Sequence, residues 1–138
     1  MKYRTIYITS FDLMRLEDVL AVANEVHYRD RKDLEALDNE LANAKILNPK
    51  DVPPDVVTMN SKVQLVHLDT GETNEYTLVF PREADIDQGK LSIISPIGTA
   101  IIGYSEGDEI EWQVPAGVRR IKIKKILYQP EAAGDFNI

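Results

Sequence analysis

Cysteine is absent from the 138 residues. That excludes a disulfide framework, a thiol nucleophile and any zinc site built on thiolates. Histidine is nearly absent: His27 and His67 are the two copies, too few to support a Ser–His–Asp arrangement. Ser10, Ser61, Ser92, Ser95 and Ser105 stand in no nucleophile-elbow context. Strand alternation is read as placing His67 opposite Val63 and Leu65, near Asp69 and with no second ligand at metal spacing. It reads as a surface histidine. Ser95-Pro-Ile-Gly98 lacks the Gly-rich run and the lysine of a phosphate loop. No stretch approaches the roughly 20 apolar residues of a membrane span, and the first residues lack a signal peptide's apolar run. The expectation is a cytoplasmic protein with no membrane partner, no cofactor, no metal and no catalytic residue of its own: not an enzyme.

What is present suits one compact domain with a small appendage. Hydrophobic residues make up 43% of the chain and the net charge is -7, which disfavours direct nucleic-acid binding, because such proteins usually carry a basic surface. The charge is uneven. Residues 1–50 hold nine acids against eight bases, and residues 51–138 hold fourteen against eight. An acidic module is repelled from bare DNA and anionic lipid but can dock on a basic protein surface. Two acidic groups, Glu83/Asp85/Asp87 and Glu106/Asp108/Glu109/Glu111, read as solvated surface or as weak divalent-ion sites. Arg119, Arg120, Lys122, Lys124 and Lys125 form the one basic run. Arg120, Lys122 and Lys124 line one face of a strand there, as water-facing sheet surface or as a contact for phosphate or an acidic protein.

The chain divides in order. Thr5–Ile8 is a short extended piece that covers apolar surface. A first helix starts between Ser10 and Asp12 and runs to Asn24 or Glu25. Its seam is Leu13, Leu16, Leu20 and Ala23, widened by Val19. A second helix follows Asp30 with the seam Leu34, Leu37, Leu41 and Ala44. Two such helices joined by a short link form an antiparallel hairpin, each helix roughly 20–24 Å long. The tip carries Glu25, His27, Tyr28, Arg29 and Asp30, either a solvated turn or a partner contact. Pro49, Pro53 and Pro54 mark a stiff linker over 48–55. From Val56 the pattern is strands: 62–67, 74–80, a short one at 91–94, 109–114 and 119–127, with a bulge expected near Lys124. Ile97, Ala100, Ile101 and Ile102 predict a short buried helix, with Ser95 as cap, Pro96 in its first turn and Gly103 as stop. Gly107-Asp108 then turns into the next strand. The tail after Tyr128 reads as irregular. The fold class is α+β: an N-terminal antiparallel helical hairpin over 1–47, a linker over 48–55, and an antiparallel sheet domain with one short helix over 56–138.

Ser95-Pro-Ile-Gly-Thr-Ala-Ile-Ile-Gly103, Glu106-Gly-Asp108 and Pro115-Ala-Gly117 resemble the C-terminal domain of the GreA/GreB transcription elongation factor family. Asp55-Val-Val-Thr-Met-Asn-Ser61, Leu78-Val-Phe-Pro81 and Tyr128-Gln-Pro-Glu-Ala-Ala-Gly-Asp135 resemble its short-armed, Rnk-like branch, the regulators of nucleoside diphosphate kinase. The resemblance implies an FKBP-like body, the coiled-coil hairpin in front of it, and binding to bacterial RNA polymerase at the rim of the secondary channel. Ser95, Pro96, Gly98, Gly103, Glu106, Gly107 and Asp108 are the docking residues it points to. Long-armed relatives hold magnesium with two acids at the tip and promote transcript cleavage. Here the arm is shorter, and Glu25–Asp30 does not match their closely spaced pair. The implied function is a polymerase-binding regulator that docks without cleaving. The alternatives are a cleavage-stimulating factor and an interaction module acting on nucleoside diphosphate kinase regulation.

Overall fold

The computed structural model describes residues 6–26, 32–114 and 117–136. Strand β1 (Tyr7–Thr9) leads into helix α1 (Ser10–Val26), followed by helix α2 (Lys32–Asn43) and strand β2 (Lys45–Leu47). Thr9 caps α1, its Oγ1 accepting from the Asp12 amide at 3.0 Å, which satisfies one of the donors a helix start leaves open. Leu16 and Leu20 of α1 and Leu37 and Leu41 of α2 are buried, and Leu13 and Val19 pack beside them. The described members of the expected seams therefore lie on buried faces, and the side chains of Ala23 and Leu34 lie outside the described residues. β1 and β2 pair in parallel, with Ile8 opposite Ile46.

The body holds β3 (Lys62–His67), β4 (Thr73–Val79), β5 (Lys90–Ser92), α3 (Pro96–Ile101), β6 (Glu109–Val114), β7 (Gly117–Tyr128) and α4 (Pro130–Ala133). Its five strands run in the order β5-β4-β3-β7-β6. β3, β4, β6 and β7 pair antiparallel, but β5 lies parallel to β4. The sheet is mixed, which corrects the antiparallel expectation. The physical reason lies in the connection. Pro81 ends β4, and two 3-10 turns, Pro81–Glu83 and Ile86–Gln88, carry the chain back before Gly89. A return of that length lets the next strand run in the same direction, whereas a tight hairpin would have reversed it.

The bulge expected near Lys124 is present. Ile123 faces Leu65 and Lys125 faces Gln64, so Lys124 has no opposite number on β3, and a second shift falls between Ile126 and Tyr128. Two further expectations are corrected. His67 shares the face of Val63 and Leu65 rather than the opposite one: it pairs with buried Ile121 and is half-buried. The tail is not wholly irregular. Gln129 caps α4 by accepting from the Ala132 amide at 3.1 Å. Its Nε2 also donates to the carbonyls of Pro53 and Val56 at 2.8 and 2.7 Å, which pins α4 to the proline segment.

One buried cluster joins both ends of the chain. It contains Ile6, Ile8, Leu16, Leu20, Leu37 and Leu41 together with Leu65, Leu78, Ile93, Ile101, Ile102 and Ile123. Helix α3 joins this cluster, as its isoleucine spacing predicted: Ile101 and the following Ile102 are fully buried, and Ile97 and Ala100 pack against it half-buried.

Candidate partner-docking surface

The segment Ser95–Asp108 is held by hydrogen bonds within itself and to the strands and loops around it. Ser95 Oγ accepts from the Gly98 amide at 3.1 Å and donates to the Ser92 carbonyl at 2.6 Å. That closes the N-terminal turn of α3 against the end of β5, with Pro96 in the first helical turn. A Cβ on Gly98 would lie 2.1 Å from the Ser92 carbonyl oxygen, so only glycine fits this approach. Gly103 has a left-handed φ of 81°, and a Cβ there would meet Ile6 Cβ at 2.7 Å. Glycine at 103 therefore both ends the helix and lets the segment preceding β1 close over it.

The turn that follows is stitched on two sides. The Ser105 amide donates to Asp108 Oδ2 at 2.7 Å. The Glu106 amide donates to the Asp55 carbonyl at 2.8 Å, and the Gly107 amide to the Ile123 carbonyl at 2.7 Å. Glu106 Oε2 accepts from the Ile126 amide at 2.9 Å, next to the bulged stretch of β7. Of the residues expected to dock, Glu106 and Gly107 are exposed, Ser95 and Asp108 are half-buried, and Gly98 and Gly103 are buried. The two buried glycines shape this surface from below. The expected tip residues His27, Tyr28, Arg29 and Asp30, and the side chain of Glu25, lie outside the described residues.

A second polar group sits where α1 meets the body, and sequence reasoning did not assemble it. Asp12 is 1% exposed. Its carboxylate accepts from Arg15 at 2.5 Å and from the Met59 amide at 3.1 Å. The Arg15 guanidinium lies over the rings of Phe11 and Phe80, 3.9 and 4.7 Å from their centroids, a cation–π arrangement. Thr58 Oγ1 donates to Glu131 Oε1 of α4 at 2.7 Å and lies 2.9 Å from Ser61 Oγ. Burial raises the Asp12 carboxyl above its usual range, and the Met59 amide and Arg15 oppose it. Burial also raises Glu131, opposed by the Thr58 hydroxyl and reinforced by the nearby Asp12 charge. On α2, Glu40 is raised by burial and opposed by the Tyr104 hydroxyl, which donates to it at 3.1 Å. These contacts fix α1 and α2 to the body, and α4 to the segment ahead of β3. The only sequence signals were the stretches 55–61 and 128–135 that carry the family resemblance, since partners 47 and 73 positions apart leave no local pattern.

Among the described residues no group of three His, Asp or Glu side chains gathers as a metal site. No helix there is long and apolar enough to cross a membrane.

A short helix-bearing α+β body with two helices ahead of it matches known proteins along nearly its whole length. Residues 52–128 match the family described as transcription elongation factor, GreA/GreB, C-term, and residues 4–47 match the Rnk N-terminus. The chain belongs to the GreA/GreB/Rnk family. It is 37% identical to the regulator of nucleoside diphosphate kinase of Escherichia coli K12, over 99% of this chain and 98% of that protein. It is 44% identical to transcription elongation factor GreA of Chlorobium phaeovibrioides, over 66% of this chain and 58% of the relative. A solved GreA/GreB elongation factor from Nitrosomonas europaea superposes with a TM-score of 0.74 at 38% identity, covering 90% of this chain and 100% of that one.

Proposed function

We propose that this chain is a non-enzymatic transcription regulator that binds bacterial RNA polymerase at the rim of the secondary channel and does not cleave transcript. Family membership over both 4–47 and 52–128 is the observation that carries it. In this proposal residues 1–47 are the arm, 48–55 the proline-rich linker and 56–138 an FKBP-like body. α1 and α2 pair antiparallel as a short coiled coil, supported by Leu16, Leu20, Leu37 and Leu41 sharing one buried cluster. At 1.5 Å per residue the 17-residue α1 is roughly 26 Å long. A rod of that length reaches less far into a channel than the longer arms of cleavage factors, and its acids Glu25 and Asp30 are separated by four residues in the sequence rather than closely spaced. Glu106, Gly107 and Asp108, presented by the rigid α3 turn with Ser95, Pro96, Gly98 and Gly103 beneath or beside them, form the docking edge. Glu25, His27, Tyr28, Arg29 and Asp30 fill or modulate the channel.

Biolayer interferometry with core RNA polymerase tests this, with a long-armed cleavage factor as competitor. Saturable binding displaced by the competitor is expected. No binding at micromolar concentration would sink the polymerase proposal. Magnesium-dependent cleavage of stalled transcripts, lost in Glu25→Ala or Asp30→Ala, would instead assign a cleavage-stimulating role. The name of the Escherichia coli relative favours one second possibility, an interaction module acting on nucleoside diphosphate kinase regulation. Saturable binding to that kinase in a protein that ignores polymerase would establish it.

A further inference from the structure

The outer face of the body sheet carries a transverse row of four side chains. β-Pairing sets Lys62 of β3 opposite Tyr128 of β7 on one side and Thr77 of β4 on the other, and Thr77 in turn opposite Lys90 of β5. Neighbouring strands lie about 4.8 Å apart, so the two lysine Cα atoms stand roughly 10 Å apart with the threonine hydroxyl between them. Each ammonium sits on a four-carbon stem long enough to swing over Thr77. Inward-facing Val63, Leu65, Leu78 and Leu91 are buried beneath the same strands, so the row stands on a rigid floor.

These four residues line a cavity of about 340 Å³ together with Asn60, Val79 and Glu83. That volume is within the range of small-molecule sites. Val79 is buried and supplies an apolar base. Asn60 is held at a left-handed φ of 66°, its amide donating to the Leu78 carbonyl at 2.6 Å. Among the described residues the side chains of Asn60, Thr77, Glu83 and Lys90 enter no hydrogen bond or ion pair. Lys62 makes an exposed pair with Glu75 at 3.7 Å, a contact of the weak kind that a better ligand displaces. The cavity thus gathers two cations, a hydroxyl, an amide, one carboxylate and an aromatic ring, on a chain whose net charge is -7.

We propose that this cavity binds the phosphate monoester of a small molecule. Lys62 and Lys90 hold the dianionic phosphate from two sides and the Thr77 hydroxyl donates to it. Tyr128 and Val79 face the organic part, and Glu83 and Asn60 accept from its hydroxyl or amino groups. Nothing in this depends on polymerase binding. The cavity is lined by β3, β4, β5, β7, the turn after β4 and Asn60 just ahead of β3, not by Ser95–Asp108.

Amide-detected NMR titration of the full chain with adenosine 5′-monophosphate, inorganic phosphate and adenosine tests the proposal. The monophosphate is expected to shift the amides of Lys62, Thr77 and Lys90, with inorganic phosphate weaker and adenosine weaker still. Lys62→Ala and Lys90→Ala should each weaken monophosphate binding by about ten-fold, the loss of one charge-assisted contact. Both positions are exposed, so an unchanged melting temperature will show that the variants fold. No shift at these amides by about 10 mM monophosphate, the weak end of useful affinity, would overturn the proposal. So would shifts that survive the double substitution, or adenosine binding as tightly as its monophosphate.

Discussion

Removing the Asp12 carboxylate should uncouple α1 from the body. In Asp12→Ala the Met59 amide loses its acceptor, and Met59 is fully buried. A buried donor left without a partner costs about 1–3 kcal/mol. The substitution also removes the carboxylate that Arg15 meets at 2.5 Å. Breaking a fully buried pair costs about 3–5 kcal/mol. Arg15 remains 27% exposed and keeps its stacking on Phe11 and Phe80, so the lower part of that range applies. The carboxylate's own desolvation, visible in its raised pKa, offsets part of the loss. A net destabilisation of about 3 kcal/mol follows, or about 10 °C in melting temperature for a chain of this size. Asp12→Asn keeps one acceptor oxygen for the Met59 amide but turns an NH2 donor toward Arg15, losing the charge and that contact, so it should cost about half as much. Urea denaturation followed by circular dichroism measures both, and hydrogen exchange at the Met59 amide should accelerate in the alanine variant alone. An alanine variant within 1 kcal/mol of the parent, or an asparagine variant as damaged as the alanine one, would refute the assignment of that amide bond as the dominant contact.

Three further outcomes follow from the same geometry. Glu131 has a pKa raised above its ordinary value of 4.5. A carboxylate whose folded pKa lies above its unfolded one opposes folding while ionised, and the opposition disappears as pH falls through the folded value and then the unfolded one. Glu131→Gln should therefore be relatively most favourable at neutral pH and converge on the parent below about pH 4.5, the unfolded value; a stability difference flat from pH 7 to 4 would contradict this. Gly98→Ala should destabilise by about 3 kcal/mol, the upper part of the overpacking range, because its Cβ meets the Ser92 carbonyl; a melting temperature unchanged within a degree would show that the turn yields. Glu106→Ala removes one exposed acceptor, so it should change stability by less than about 1 kcal/mol while weakening polymerase binding in the interferometry assay; unchanged affinity would remove Glu106 from the docking edge.

Much of the architecture was written locally. The three-and-four spacing of Leu13, Leu16 and Leu20, and of Leu37 and Leu41, marks buried faces wherever the helices end up packing. Ser95-Pro96 announced a capped helix start, and Gly103 its end, because those backbone requirements are satisfied within a few residues. The alternation of Val63 and Leu65 set the inward face of β3, although the same alternation applied correctly puts His67 on that face too. The bulge was legible in the phase change between Ile123 and Ile126.

What remained hidden depends on groups far apart in the chain. The direction of β5 turns on how the two 3-10 turns after Pro81 fold back, and the short apolar stretch at 91–94 has no polarity of its own. Asp12 looked like an ordinary acidic residue in a first helical turn until folding brought the Met59 amide to it. Glu131 and Gln129 sat in a tail with no strong period, yet their side chains join α4 to Thr58, Pro53 and Val56. Lys62, Thr77 and Lys90 are unremarkable singly and become a row only through strand register. Periodicity and capping are short-range consequences of backbone geometry, so the amino-acid sequence determined the elements and their buried faces by itself. Pairing direction, register and the buried polar contacts arise when distant segments exclude water together, and those the tertiary structure alone decided.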